Sequence, residues 1–148
     1  MQVQKITTCL WFQTQAAEAA KFYVSLFDDA KVVSESPVVT MFQLAGQQFM
    51  ALNGNREPSF TDAVSLMVTC KDQREVDTLW DALLAKGGKA TMCGWLKDRF
   101  GVSWQIVPSR LQELLNDPDP AKARRTAEAM MKMVKLDVAA LERAHAGK

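Results

Sequence analysis

Residues 93–108 read CGWLKDRFGVSWQIVP. Lys89 to Cys93 and Gly94 to Leu96 are short strand candidates, Asp98-Arg99-Phe100-Gly101 is a turn, and Val102 to Val107 is a strand. In that last strand Val102, Trp104 and Ile106 alternate with Ser103 and Gln105, so one face is apolar and the other neutral and polar. Upstream, Ala63 to Cys70 reads as another strand. Asp72 to Lys86 reads as a helix capped by Asp72 and stopped by Gly87-Gly88, with Val76, Leu79, Trp80, Leu83 and Leu84 at helical spacing. The unit is therefore strand, helix, then three strands.

The same order stands earlier in the chain. Ile6 to Phe12 is a strand and Gln15 to Phe27 a helix. Lys31 to Ser36, Val38 to Leu44 and Gln48 to Asn53 are strands, with Pro37 at a break and Asn53-Gly54-Asn55 at a turn. Glu18, Phe22, Tyr23, Leu26 and Phe27 recur 57 residues later as Glu75, Leu79, Trp80, Leu83 and Leu84. Gly46 and Phe49 recur 55 residues later as Gly101 and Trp104. An internal repeat at this spacing predicts two copies of one supersecondary unit. The expectation is an α+β chain of two tandem βαβββ modules, about 5–54 and 63–108, followed by a helical tail over 109–148. In the tail, Ser109 to Leu115, Ala121 to Val134 and Val138 to His145 read as helices. Asp117-Pro118-Asp119-Pro120 and Asp137 punctuate them, and the tail is expected to pack on the fold or on a second subunit.

Composition narrows the function. Eighteen basic residues against seventeen acidic leave a net charge of +1, which argues against nucleic acid or an acidic membrane as partner. No apolar run reaches the roughly 18–20 residues of a membrane span. Met1-Gln2-Val3-Gln4-Lys5 has no apolar signal-peptide core. Cys9, Cys70 and Cys93 are odd in number and in no metal-ligand spacing, which fits a reducing, cytoplasmic setting. The single histidine, His145, excludes a two-histidine metal site within one chain.

Residues 93–108 resemble the signature of the PhnB-like proteins, a branch of the vicinal oxygen chelate superfamily that includes glyoxalases, bleomycin-resistance proteins and extradiol dioxygenases. Ile6-Thr7-Thr8-Cys9-Leu10-Trp11-Phe12, Ala19-Ala20-Lys21-Phe22-Tyr23 and Gly46 to Gly54 resemble the same branch. The resemblance is read over essentially the whole chain, tail included. It implies one domain over 1–148 in which both modules curl sheets around a cavity, a homodimer, and a trimmed hairpin between Ser34 and Val39. The superfamily's metal positions, carried over, fall near Thr7, Met50, Ser65 and Gln105. Hydroxyls and a thioether are poor ligands for Fe, Zn or Ni, so no metal and no cofactor are expected. The branch's methyltransferase label finds no glycine-rich strand-to-helix turn to hold S-adenosylmethionine.

The mixed faces of the strands carry Thr, Ser, Gln, Cys, Met and Trp in place of Lys and Glu, as a cavity lining does. The leading reading is a metal-independent protein that binds or sequesters a small molecule. Trp11, Trp95, Met50 and Met67 would be walls; Thr7, Ser65, Ser103 and Gln105 would be orienting polar groups, with Cys9 on the same face. Closed-core packing is the plainer account, above all for Trp104. A second reading is a divergent enzyme, a lyase, an isomerase or a thiol enzyme using Cys9 or Cys93; it leaves the catalytic residues unassigned. A third is an interaction protein with Met130, Met131 and Met133 as partner surface. Lys97, Asp98 and Arg99 read as a solvated turn, and His145 as a solvated tail residue.

Overall fold

The computed structural model describes residues 4–148; the reading of the first residues as lacking a signal peptide falls partly on Met1, Gln2 and Val3, outside that range. The chain forms two compact units, the first ending at Ser59 and the second spanning Phe60–Lys148.

The first unit runs β1 (Thr8–Phe12), α1 (Ala16–Ser25), β2 (Ala30–Glu35), β3 (Val39–Leu44) and β4 (Gln47–Asn53). Its sheet has the order β1-β4-β3-β2, with β1 parallel to β4 and the other pairs antiparallel. Ala16, Ala19, Ala20 and Tyr23 form the buried face of α1. Small alanines let the helix lie close to the sheet, and Tyr23 meets Phe42 at 6.1 Å between ring centroids. The helix is capped from afar: Asn53 Oδ1 accepts from Ala16 N at 2.8 Å, while Asn53 Nδ2 donates to the Pro37 carbonyl at 3.0 Å. The short β2–β3 connection is closed by Ser36 N donating to the Val39 carbonyl at 2.8 Å.

The second unit repeats the scheme with β5 (Leu66–Cys70), α2 (Gln73–Leu84), β6 (Lys89–Ala90), β7 (Trp95–Lys97) and β8 (Ser103–Pro108). The order β5-β8-β7-β6, with β5 parallel to β8, is that of the first sheet element for element. Two βαβββ modules are therefore present, each with an open four-stranded sheet. Asp72 caps α2 as expected, accepting from Glu75 N at 2.9 Å, and Val76, Leu79, Trp80 and Leu83 are buried. The helix closes through left-handed backbone at Lys86 and Gly87. Strand β5 starts later than the sequence suggests: residues 62–64 turn, and Val64 is 65% exposed, so its apolar side chain has no core to meet.

The tail belongs to the second unit. It comprises α3 (Ser109–Leu115), α4 (Pro120–Met131) and α5 (Val138–Ala146), gathered on the buried cluster Leu111, Leu114, Leu136 and Leu141. Asp119 and Asp137 cap α4 and α5 through Ala121 N (2.9 Å) and Ala140 N (3.1 Å). Helix α4 stops at Met131, short of the expected Val134, because the Met133 and Val134 carbonyls accept tertiary hydrogen bonds from Cys93 N and Gly94 N, both at 2.8 Å. Met130 and Met133 pack on the tail's own core, and Met131 is exposed. His145 is not a solvated residue: its Nε2 lies 2.8 Å from Asp117 Oδ2, with both side chains mostly covered. No helix among the described residues is long and apolar enough to cross a membrane.

Candidate functional site

Pairing register places the predicted residues in rows. In the second sheet Met67, Gln105 and Trp95 are cross-strand partners, and Lys97 faces Ser103. The opposite face carries Leu66, Trp104 and Leu96. Trp104 and Ile106 are buried, as the alternation of β8 requires, and Trp104 is a core residue. Gln105 Nε2 donates to Ser65 Oγ at 3.0 Å, so two of the carried-over metal positions satisfy one another.

A half-open cleft of about 450 Å³ lies on this unit. Met92, Cys93 and Trp95 give it an apolar wall, Leu96 borders it although its side chain lies on the buried face, and Asp62, Thr91, Lys97 and Ser103 supply polar groups. Asp62 Oδ1 accepts from Ser103 Oγ at 3.1 Å and meets Lys97 Nζ at 3.1 Å. The Lys97 hydrogen bond, then that of Ser103, holds the Asp62 carboxyl below the usual aspartate range. Trp95 and Ser103 are the predicted residues that line the cleft; Ser65, Met67 and Gln105 stand in the neighbouring rows. Lys97, read from the sequence as part of a solvated turn, lies two residues from Trp95 on the same strand face, which is the signal that could have found it. Asp62, Thr91 and Met92 come from loops, where no periodicity marks an inward side chain.

The turn that joins β7 to β8 corrects another expectation. Asp98 is not solvated but 3% exposed. Its Oδ1 accepts from Phe100 N (2.8 Å) and Val102 N (3.1 Å), and its Oδ2 from Trp104 Nε1 (2.9 Å). The carboxylate thus replaces missing backbone partners inside the turn and ties it to a core tryptophan. This brings Lys97 and Ser103 onto adjacent strands beside the cleft. At the other end of β7, Cys93 (φ 56°) and Gly94 (φ 84°) adopt left-handed backbone.

In the first unit Cys9, Met50 and Met41 form the corresponding row. Cys9 is exposed, and partial desolvation pushes its thiol up. Thr7 immediately precedes β1 and is half-buried. Trp11, on β1, is covered by the segment that follows β4: its indole packs on Gly54, and the Arg56 guanidinium lies 4.4 Å from the ring centroid. Its Nε1 is buried with no hydrogen-bond partner among the described residues.

The donor set does not fit the superfamily's metal. Thr7, Met50, Ser65 and Gln105 offer two hydroxyls, a thioether and an amide already engaged with one of those hydroxyls. Among the described residues no cluster of three His, Cys, Asp or Glu side chains could hold an ion.

A family model described as 3-demethylubiquinone-9 3-methyltransferase matches residues 4–107. It spans both modules and stops before the tail, so the resemblance is narrower than the whole-chain reading. A solved PhnB protein from Bacillus cereus is 37% identical over 71% of this chain and 99% of its own, with a TM-score of 0.65. Two further structures share the fold. A protein from Pseudomonas aeruginosa has 22% identity, coverage of 72% and 98%, and a TM-score of 0.57. A glyoxalase/bleomycin resistance protein from Albidiferax ferrireducens has 12% identity, coverage of 71% and 98%, and a TM-score of 0.54. No curated protein matches the chain.

Proposed function

We propose, given that this chain belongs to the PhnB-like 3-demethylubiquinone-9 3-methyltransferase family and has the glyoxalase/bleomycin-resistance fold, that it is a metal-independent protein that binds a small, largely apolar molecule in the cleft of its second unit. The observation that carries this reading is the cleft itself. Its volume of about 450 Å³ falls within the range of about 300–1,000 Å³ usual for small-ligand sites. Its apolar wall is interrupted by few polar groups, and Trp95 offers a flat surface for an aromatic ring. Asp62 and Lys97 oppose one another at the polar end, so that end is close to neutral and favours a neutral or dipolar head over a simple ion.

The methyltransferase activity in the family's description has no support in the local chemistry. The connections from β1 to α1 (Gln13-Thr14-Gln15) and from β5 to α2 (Lys71-Asp72) contain no glycine, and both sheets are dominated by antiparallel pairs. A dinucleotide-type or S-adenosylmethionine turn needs glycines at that place for the backbone to approach the ligand. A homodimer, by the family resemblance, and a cytoplasmic setting, by the three free cysteines, belong to the same proposal.

The test is a titration with 2-naphthol, a neutral aromatic probe, followed by tryptophan fluorescence. Saturable quenching is expected, weakened at least about tenfold in Trp95→Ala, in line with the loss of one aromatic contact in a desolvated site. A linear, unsaturable response, or full retention of binding in Trp95→Ala, would reject the cleft as the site.

A further inference from the structure

We infer that residues 132–136 of the tail are a strap that holds in place the hairpin forming one wall of the cleft, and that Gln73 is the residue that positions it. The inference rests on the cleft being the binding site. Its starting point is that the β6–β7 hairpin, which carries most of the cleft wall, has only two register pairs of its own, Lys89↔Lys97 and Ala90↔Leu96. So short a hairpin has little stability by itself. Its turn leaves the amides of Cys93 and Gly94 directed away from the sheet, and the Met133 and Val134 carbonyls accept both, at 2.8 Å. On its other side the Gly94 carbonyl accepts from Ile106 N at 2.8 Å, so the turn is gripped between β8 and the strap.

The approach is as close as glycine allows. A Cβ on Gly94 would stand 2.9 Å from Leu136 Cδ1 and 3.0 Å from the Ile106 carbonyl oxygen. Leu136 itself is fully buried. The strap is fixed at its far end by one side chain. Gln73 Nε2 donates to the Leu136 carbonyl at 3.0 Å, and Gln73 Oε1 accepts from Val138 N at 2.7 Å. The amide therefore brackets the tail as a neighbouring strand would. Lys135 Nζ adds an ion pair to Asp77 Oδ1 at 2.8 Å, and Gln73 Nε2 also reaches that carboxylate at 2.9 Å. The family match ends at residue 107, so an element outside the matched modules supports the hairpin that holds Met92, Cys93 and Trp95.

The test uses the full chain in a Cys9→Ser background. Cys70 is silent there because burial pushes its thiol up to about 12, leaving Cys93 as the reporter. Two readings are taken on Gln73→Ala/Lys135→Ala: the rate of Cys93 reaction with a disulfide reagent, and 2-naphthol affinity. Loss of two strap hydrogen bonds and one ion pair should raise the Cys93 rate at least about tenfold and weaken naphthol binding about fivefold or more. Gln73→Glu keeps the acceptor for Val138 N and should fall between. It carries the same two readings if the double variant loses its far-ultraviolet dichroism. An unchanged Cys93 rate would overturn the strap, as would a raised rate with unaltered naphthol affinity. If the parent protein binds no naphthol yet the Cys93 rate rises, the binding proposal fails while the strap's hold on the hairpin stands.

Discussion

Asp98→Ala should be among the most damaging single substitutions in the second unit. Two of the donors it serves, Val102 N and Trp104 Nε1, sit in residues exposed by 4% and 1%, where water cannot replace the carboxylate. Stripping a buried donor of its acceptor costs about 1–3 kcal/mol, so the two together give about 2–6 kcal/mol. The third donor, Phe100 N, is in a half-buried residue and contributes less. Asp98→Asn keeps the shape and one acceptor oxygen, but must set an NH₂ group against either the backbone amides or the indole N–H; about 1–3 kcal/mol is expected. Urea denaturation with linear extrapolation measures both, provided the slope is unchanged. A double-mutant cycle with Trp104→Phe then isolates the indole–carboxylate bond, with a coupling of about 0.5–3 kcal/mol. A cost under about 1 kcal/mol for Asp98→Ala, or a coupling indistinguishable from zero, would show that water or another side chain serves the turn and that Asp98 is not its organiser.

Two further outcomes follow from particular contacts. Gly54→Ala places a Cβ inside the Trp11 indole, so the ring must leave its seat on Gly54; a cost of about 1–3 kcal/mol and a red-shifted Trp11 emission are expected, and an unaltered spectrum would contradict the packing. The strap should also be acid-labile. The Lys135 hydrogen bond, then that of Gln73, holds the Asp77 carboxyl low. Its contribution is therefore complete above the ordinary aspartate value of about 4 and is lost as pH falls through the lower folded value. The Lys135 ammonium, raised chiefly by its hydrogen bond to Asp77, contributes fully below the ordinary lysine value of about 10.4 and fades only above it. Amide exchange over residues 91–95, corrected for intrinsic rate, should lose protection as pH falls below about 4; in Asp77→Asn that dependence should flatten, and an identical profile in the variant would remove Asp77 from the account.

Much of the fold was legible because its causes are local. The alternation of Val102, Trp104 and Ile106 with Ser103 and Gln105 states which face of β8 is buried, since a strand turns its side chains every second residue. Asp72, Asp119 and Asp137 announce helix starts because a cap bonds an amide two or three residues away. The repeat of one pattern at a fixed interval announces two modules with one topology. The polar, uncharged character of that face singled out Trp95 and Ser103, which stand in the lining of the cleft.

What remained hidden depends on bonds that close over long stretches of chain. Asp98 looked like any charged turn residue until Trp104 was folded over it, and the burial of a carboxylate is decided by the donors that surround it. Asn53 caps a helix 37 residues before it, and Gln73 brackets a segment 63 residues after it. Neither partner lies within a helical turn or a strand period, so no spacing in the sequence could mark the pair. The end of α4 follows the same rule: the sequence continues to favour helix through Val134, but two carbonyls there gain tertiary donors that helix propensity, at a few tenths of a kcal/mol per residue, does not outweigh. The sequence by itself determined the repeating strand and helix pattern, its faces and its caps. Only the tertiary structure decided which loops meet the second sheet to make a cleft and which end of the chain supports it, because such contacts exist only once distant segments have been brought together.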